Sequence, residues 1–406
     1  MKVLSFQQMP YRNMPSDFAQ KHNSVVNTPY NELVKAKEMH EYHVNFIDEM
    51  LHAARMGFDG LGTTEHGQAS YDILPNPNLQ MAALAYATEK ENLDVAICNV
   101  GRSLGKSKEA LRIAEEYAVL DQISGGRLIA GFPVALSFDA NQNMGVPPIE
   151  TRARFAENRS LIEQAWTRDD VFPFNGKFNK HPYVNIWPRP AQQRPPVWAP
   201  AIGNPNTFKG IIENDDAFLY LSWFGPKLTG QRIFDRWWDM CEEHGRDRNP
   251  NRLAFVQCVA VGETDEEAHR LYKPHVEAGF RNGLGSIPIQ GLGLPGYMDI
   301  KGVEFVARDP GDFGLVTKMR TINYEELVDA QCCIVGGPDT VKEQLIELVK
   351  NFRIGNLVLM VQHGSMPHEL TKKNITLLAE KVLPDLKGIW EDEGWEHNWW
   401  PTGVQS

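Results

Sequence analysis

The amino-acid sequence predicts a (β/α)₈ TIM barrel with insertions, a fold in which eight parallel strands alternate with helices. Short apolar segments of strand length alternate with segments that have the period of amphipathic helices along most of the chain. One continuous run, residues 109–131, shows this repeat most clearly. It has the pattern of a helix, a Gly-Gly stop and a buried strand, and these three features make one helix-to-strand junction of a barrel.

Eight segments have the composition of strands covered on both faces, because they are short, apolar and bounded by turn residues. A helical segment follows each of them, so a closed barrel explains their order better than an open sheet. One long helix is predicted over residues 31–56, before the second strand. The predicted strands are residues 2–9, 57–66, 93–100, 127–131, 196–201, 217–223, 253–261 and 356–362.

The chain is expected to form a single domain, residues 1–406, in which two segments interrupt the repeat. Residues 169–195 are rich in Pro, Asn and aromatic residues and predict an excursion that contains a small hairpin. Residues 279–328, after the seventh strand, are rich in glycine and have little helical period. So long a segment predicts a lid or a substrate-binding insertion, with simple disorder as the alternative.

The composition excludes several classes of partner. Of the 406 residues, 42% are hydrophobic and 23% are charged, which is typical of a globular protein with a large core. A net charge of −11 argues against nucleic acids and anionic membranes as partners. The chain contains neither an apolar run long enough to cross a membrane nor a secretory leader, so we expect a cytoplasmic protein without a membrane anchor.

Other sequence motifs give no support for a metal or for ATP. The five cysteines include no Cys-x-x-Cys pair and are expected to be reduced packing residues. His40 and His43 are three residues apart, which is not the spacing of His-Glu-x-x-His, so no metal site is predicted. The glycine-rich run that begins at Gly101 is one residue short of a P-loop.

Two strand ends carry candidate functional residues. Glu65 and His66 end the second predicted strand, so His66 should face the mouth of the barrel, where barrel enzymes place their active sites. A single histidine at such a position is a candidate acid or base, and a structural role is the alternative. The turn after the fifth strand contains Gly203, Asn204 and Thr207 and leads into a helix, whose N-terminus can bind an anion. Ordinary N-capping is the alternative for Asn204 and Thr207.

Residues 109–131 resemble the bacterial luciferase-like flavin monooxygenases, in which an Ala-Glu-Glu helix leads into Leu-Asp-x-x-Ser-x-Gly-Arg. Glu65 and His66 resemble the start of the family's Glu-His-His motif, although Gly67 replaces the second histidine. Ser222-Trp223 is similar to a Ser-Trp pair that lies beside the flavin. Residues 334–345 resemble a helix start of the family that has an architectural role.

This resemblance implies an enzyme that binds reduced FMN, reacts it with O₂ and oxygenates a small organic substrate. A separate NAD(P)H-dependent reductase would supply the reduced flavin, and a homodimer is expected. His66 would be catalytic through its part in the oxygen chemistry of the flavin. The fold is shared with deazaflavin-dependent oxidoreductases that transfer hydride and with FMN-binding proteins without known turnover, so these alternatives stay open. The cofactor-binding residues that the resemblance implies are Arg112, Gly203, Asn204, Thr207 and Trp223.

Overall fold

The predicted barrel is confirmed by the computed structural model, which describes residues 1–221, 226–287, 294, 296 and 321–404. The strands are β1 (Lys2–Phe6), β2 (Gly60–Thr63), β3 (Ala96–Asn99), β4 (Leu128–Gly131), β5 (Phe172–Asn175), β6 (Lys180–Val184), β7 (Val197–Ala201), β8 (Ala217–Leu221), β9 (Leu253–Val261), β10 (Cys333–Gly336) and β11 (Asn356–Met360). Strands β1, β2, β3, β4, β7, β8, β9 and β11 pair in parallel in this order, and β11 pairs with β1 to close the barrel. Each lies inside one of the eight predicted segments.

Glycines in β2 make room for large side chains inside the barrel. Leu4 and Phe6 of β1 are fully buried and lie beside Gly60 and Gly62 of β2. A Cβ atom at either glycine would lie 3.0 Å from its large neighbour. The interior therefore fills by pairing bulky with small residues, as packing at crystal-like density requires.

The outer layer consists of helices. The prediction of one helix over residues 31–56 is wrong in one respect. Two helices are present, and the backbone of Val34 and Lys35 between them is extended. The helices are α1 (Phe18–Lys21), α2 (Tyr30–Leu33), α3 (Ala36–Arg55), α4 (Asn78–Lys90), α5 (Ala110–Ile123), α6 (Thr151–Thr167), α7 (Pro205–Glu213), α8 (Pro226–Glu243), α9 (Asp265–Ala278), α10 (Tyr324–Asp329), α11 (Pro338–Phe352), α12 (His368–Lys381) and α13 (Leu383–Lys387).

The hairpin predicted within residues 169–195 is present as the antiparallel pair β5 and β6. The Glu157 carboxylate of α6 fixes its turn by accepting hydrogen bonds from the backbone N–H groups of Lys177 (2.7 Å), Phe178 (2.9 Å) and Asn179 (2.7 Å). These charge-assisted bonds hold the excursion against the barrel.

Strand β10 was not among the predicted strands. It pairs with the second half of β9, residues 258–261, whereas the first half of β9 pairs with β8. Its four residues precede Gly337 and Pro338, and the predicted helix start there is confirmed as α11. An apolar run this short cannot be told from the approach to a helix by its period alone.

The chain's last described residues cover the N-terminal end of the barrel. Trp198, inside the barrel, donates its indole N–H to the carbonyl of Trp399 (3.0 Å). Trp399 in turn donates to the carbonyl of Asp215 (3.0 Å), and Arg252 lies over its ring at 4.3 Å. The tail therefore closes the end of the barrel opposite the mouth.

Several expectations about the insertion lie outside the described residues. Residues 279–287 form short helical turns, and residues 321–328 include most of α10. Of residues 288–320, only 294 and 296 are described. The lid prediction therefore stays a prediction.

All five cysteines are free and buried, as expected. Within the described ranges, no helix combines the length and the apolar character that a membrane span needs.

Candidate active site

His66 lies three residues beyond the end of β2 and is held by a buried carboxylate. Its Nδ1 is 2.8 Å from Oδ2 of Asp139, and the two side chains are 12% and 1% exposed. The other oxygen of Asp139 accepts a hydrogen bond from the backbone N–H of Gly67 (3.3 Å). A carboxylate in this position fixes the tautomer and the orientation of the imidazole.

Asp139 is a candidate functional residue that the sequence did not reveal. It lies in a short π-helical turn, Phe138–Asn143, after β4. The side chain of Asn143 donates to the carbonyl of Gly67 (2.9 Å), so this turn is tied to the segment that carries His66. Asp139 and His66 are 73 positions apart, and no local pattern signals that the two meet.

The environment of His66 favours its protonated form. Burial by itself lowers the pKa of His66, but the negative charge of Asp139 and the hydrogen bond between them outweigh it and raise that pKa above its ordinary value. A protonated ring donates through both nitrogens, and Nδ1 is already used by Asp139. The proton on Nε2 is therefore the one that His66 can offer to a reacting group.

Aromatic rings surround His66. Its ring lies nearly parallel to Phe138, with centroids 5.8 Å apart, and meets Tyr71 edge to face at 5.0 Å. The hydroxyl of Tyr71 accepts a hydrogen bond from the side-chain amide of Gln8 (3.2 Å), which follows β1. These contacts limit the water that can reach the ring and strengthen the electrostatic effect of Asp139.

A second buried carboxyl group, Asp72, lies near this pair. One of its oxygens accepts hydrogen bonds from the backbone N–H groups of Met9 (3.1 Å) and Leu74 (3.2 Å), and the other has no partner. Burial raises the pKa of Asp72 to about 7, partly against the positive charge of His66. Asp72 was not among the predicted site residues either.

Glu65, the neighbour of His66, joins the ends of β2 and β3. It accepts hydrogen bonds from Arg102 (2.8 Å) and from the backbone N–H of Ser103 (2.8 Å), and Lys106 is 3.4 Å away. A Cβ atom at Gly101 would lie 2.2 Å from the backbone nitrogen of Glu65, so only glycine fits there. Glu65 therefore holds the strand ends in place.

The turn proposed for phosphate binding is already closed by a cap. Asn204 accepts hydrogen bonds from the backbone N–H groups of Asn206 (2.9 Å) and Thr207 (3.4 Å), and it forms the N-cap of α7. Gly203 before it has a φ of +107°, a conformation that favours glycine. The N-capping alternative is thus observed, and binding of a phosphate here stays a prediction.

Arg112 is not brought together with this turn. It is 67% exposed, its Nη1 lies 3.0 Å from Glu115, and it lines a groove formed by α4, α5 and Trp187 on the outside of the barrel. Helix α6 follows α5 around the barrel and separates it from α7. Trp223 lies outside the described residues, so its predicted place beside a flavin stays a prediction.

A cleft opens at the mouth on the far side of Tyr71. It lies between the end of β1, the end of β11 and the turns after α9, and its roughly 590 Å³ of empty space includes open solvent. Gln8 and Tyr71 form one wall, and Gln362 and His363 form another. Since the ring of Tyr71 also touches His66, the cleft adjoins the His66–Asp139 pair.

Comparison with known proteins gives this site its context. The model of a family described as luciferase-like monooxygenase matches residues 33–353. The chain is 31% identical over 174 residues to the oxygenase component of a flavin-dependent trigonelline monooxygenase of Acinetobacter baylyi, a match that covers 41% of this chain and 46% of that protein. It is 24% identical over 346 residues to limonene 1,2-monooxygenase of Rhodococcus erythropolis, covering 83% of this chain and 80% of that protein.

Two solved structures share the fold. The oxygenating constituent of 3,6-diketocamphane monooxygenase of Pseudomonas putida, in complex with FMN, superposes with a TM-score of 0.68 at 18% identity, covering 95% of this chain and 98% of that chain. An F420-dependent secondary alcohol dehydrogenase, in complex with an F420-acetone adduct, superposes with a TM-score of 0.63 at 14% identity, covering 95% of this chain and 98% of that chain. At such identities the likeness concerns the fold alone.

Proposed function

Because the chain belongs to the luciferase-like monooxygenase family, we propose that it uses reduced FMN and O₂ to oxygenate a small organic substrate. A separate NAD(P)H-dependent reductase would supply the reduced flavin, since one relative is named as the oxygenase component of a monooxygenase. The structure of a fold neighbour in complex with FMN supports the choice of cofactor. We propose a cytoplasmic location, because NAD(P)H is generated there.

The His66–Asp139 pair is the observation that carries this proposal. When bound, reduced FMN supplies the two electrons with which O₂ is divided between the substrate and water. One oxygen atom must then leave as water, and this requires protons at the barrel mouth. His66 holds a proton on Nε2, Asp139 keeps that proton bound up to a higher pH, and the aromatic rings exclude bulk water.

The described residues fit an FMN molecule. The ring system would lie at the mouth against His66 and Tyr71, which are aromatic. The phosphate would lie at the N-terminus of α7, beside Gly203, where the first backbone N–H groups of the helix can bind an anion and Thr207 adds a hydroxyl. Asn204 would then exchange its two cap bonds for contacts to the phosphate. We leave Arg112 out of this site because it faces the outer groove.

A homodimer is proposed through that outer groove. Apolar side chains of α4 and α5 are exposed to solvent there. Leu79 is 69% exposed and Val119 is 42% exposed. Arg112 and Glu115 lie in the same groove, so two copies related by a twofold axis can pair opposite charges. Sedimentation should show a dimer for the native chain and a monomer for Leu79→Asp, whereas Ile149→Asp, at a site 75% exposed elsewhere, should leave the dimer intact.

Anaerobic mixing with reduced FMN, followed by exposure to O₂, tests the proposed reaction. We expect the protein to bind reduced FMN and to delay the appearance of oxidised FMN and hydrogen peroxide relative to free flavin. His66→Ala should keep the flavin affinity within about threefold and shorten that delay, since a positioned acid typically contributes about 10² to 10⁴ in rate.

Hydride transfer with a deazaflavin is the second candidate, because a deazaflavin-dependent dehydrogenase shares the fold. A titration of the protein with both reduced cofactors separates the two. If the deazaflavin binds in the micromolar range and reduced FMN binds no better than to an unrelated protein, the hydride-transfer function replaces the one proposed here.

A further inference from the structure

A line of polar contacts joins the outer groove to the segment that carries His66. Glu116 lines the groove, and one of its oxygens, Oε2, accepts a hydrogen bond from the side chain of Asn78 (3.1 Å). The same oxygen is 3.1 Å from Nη2 of Arg102. Arg102 donates through its other terminal nitrogen to Glu65 (2.8 Å), which directly precedes His66. The side chains of Glu116, Arg102 and Glu65 therefore connect the outside of the barrel with its mouth.

The guanidinium of Arg102 is divided between two carboxylates. Arginine commonly meets one carboxylate with two parallel N–H bonds, but here Glu65 and Glu116 each meet one nitrogen. The third nitrogen, Nε, is buried without a partner, and the whole side chain is only 13% exposed. A second arrangement, in which Arg102 turns two nitrogens to Glu65, would satisfy Nε and leave Glu116 to water. Only the observed arrangement holds both carboxylates.

Water at Glu116 decides between these two arrangements. Glu65 is 4% exposed, whereas Glu116 is 24% exposed and is the most accessible of the three side chains. A second copy seated in the groove would displace that water. Because the attraction between opposite charges grows as their surroundings lose water, the covered Glu116 would then depend on Arg102. Assembly therefore favours the observed arrangement.

At the mouth, the backbone as well as the side chains makes the contact. Gly101 precedes Arg102, and a Cβ atom there would lie 2.2 Å from the backbone nitrogen of Glu65 and 2.5 Å from Cα of Thr64. So close a contact means that the loop that carries Arg102 and the segment that carries His66 move together. Fixing Arg102 therefore fixes this segment as well, and a site that is ordered in advance binds its ligand more tightly.

We propose that a second copy in the outer groove and a flavin at the mouth favour each other's binding through Arg102. The inference rests on the proposed function, from which it takes the dimer and the flavin, and it adds regulation of the site by assembly. Linkage makes the effect reciprocal: if the dimer binds the flavin more tightly than the monomer does, the flavin must strengthen the dimer.

Anaerobic sedimentation with and without saturating reduced FMN measures one side of this linkage. Flavin titrations of the native dimer and of monomeric Leu79→Asp measure the other side. Coupling between two sites typically changes an affinity by about 5- to 150-fold, so we expect the dimer to bind reduced FMN at least about fivefold more tightly. Because each dimer holds two flavins, its dissociation constant should then fall by at least about 25-fold.

A matched pair of variants tests the path. Glu116→Gln and Glu115→Gln each remove one carboxylate that lines the groove, at neighbouring positions of α5. Glu116 meets Arg102, whereas Glu115 is 3.0 Å from Arg112. Either change can alter the dimer itself, so the quantity compared is the ratio of the dimer dissociation constants without and with flavin. That ratio should approach one in Glu116→Gln, because a neutral amide holds Arg102 less strongly, and should keep its native value in Glu115→Gln.

Four results would overturn the proposal. They are a dimer dissociation constant that reduced FMN does not change, a native chain that stays monomeric at every concentration, a ratio that survives in Glu116→Gln, and a ratio that is lost in Glu115→Gln. The native chain decides the first two, so the test does not depend on the folding of a variant. The titrations also report whether reduced FMN binds at all. Binding without linkage overturns this inference alone, whereas absence of binding overturns the proposed function as well.

Discussion

Removing the Asp139 carboxylate should lower the pKa of His66 below its ordinary value of 6.5. The two groups are 2.8 Å apart and almost fully buried. Two opposite charges about 4 Å apart attract by roughly 4 kcal/mol at an effective dielectric constant of about 20, and a partner this close shifts a pKa by about 1 to 3 units. In Asp139→Asn the attraction is lost and burial, which lowers the pKa of His66, remains. We therefore expect the pKa of His66 to fall in Asp139→Asn.

The imidazole signals of the protein, followed by NMR as a function of pH, give this pKa directly and require no substrate. His66→Gln identifies the signal. The control is Asp169→Asn. Asp169 is 99% exposed, and its carboxylate pairs with Arg189 at 3.0 Å rather than with His66. This control should leave the titration of His66 unchanged.

The same pair makes a prediction about stability. The pKa of His66 is raised in the folded chain, so its contribution is fully present below the unfolded pKa and is lost as the pH rises through the folded one. Asp139→Asn should therefore remove part of the stability at acidic pH and little of it at alkaline pH. If the pKa of His66 in Asp139→Asn stays at the native value, or rises, the assigned role of Asp139 is refuted.

Three further predictions follow from other parts of the chain. Asp72→Asn should stabilise the protein above pH 7 by up to about 4 kcal/mol and have little effect below pH 4. The reason is that the pKa of Asp72 is raised to about 7 in the folded chain, so ionising this carboxyl group lowers stability as the pH rises. Urea unfolding at several pH values measures the effect. Trp399→Ala should destabilise the chain by about 3 to 5 kcal/mol and leave flavin binding unchanged, since it opens the barrel end opposite the mouth. Tyr183→Ala is the control: this residue is 79% exposed, and its loss should change the free energy of unfolding by less than about 0.5 kcal/mol. Thr207→Val should weaken FMN binding by up to about tenfold in a flavin titration, and Arg112→Ala should leave it within about threefold, because only the first lies at the N-terminus of α7.

The barrel was predictable because its strands are buried on both faces and so stand out as apolar segments between helices. Strand β10 escaped because four apolar residues before Pro338 carry no distinguishing period. His66 was found because it follows a strand end, where barrel active sites lie. Asp139 was not found, because its role depends on a contact across 73 positions that only the folded chain creates. For Asn204 the sequence allowed two roles, and the same side-chain oxygen serves as a cap in the structure.

The two ends of the barrel differ in a way that suits the proposed reaction. At the mouth, one oxygen of Asp72 and the amide oxygen of Gln362 are buried without partners, and each such group lowers stability by about 1 to 3 kcal/mol. At the opposite end, Trp399 closes the barrel with hydrogen bonds to Trp198 and Asp215 and a stacked Arg252. A closed base can offset the unfavourable groups at the mouth without occupying the space that a substrate and a flavin need. Substitutions around Trp399 should therefore change stability and leave flavin binding at the mouth unchanged.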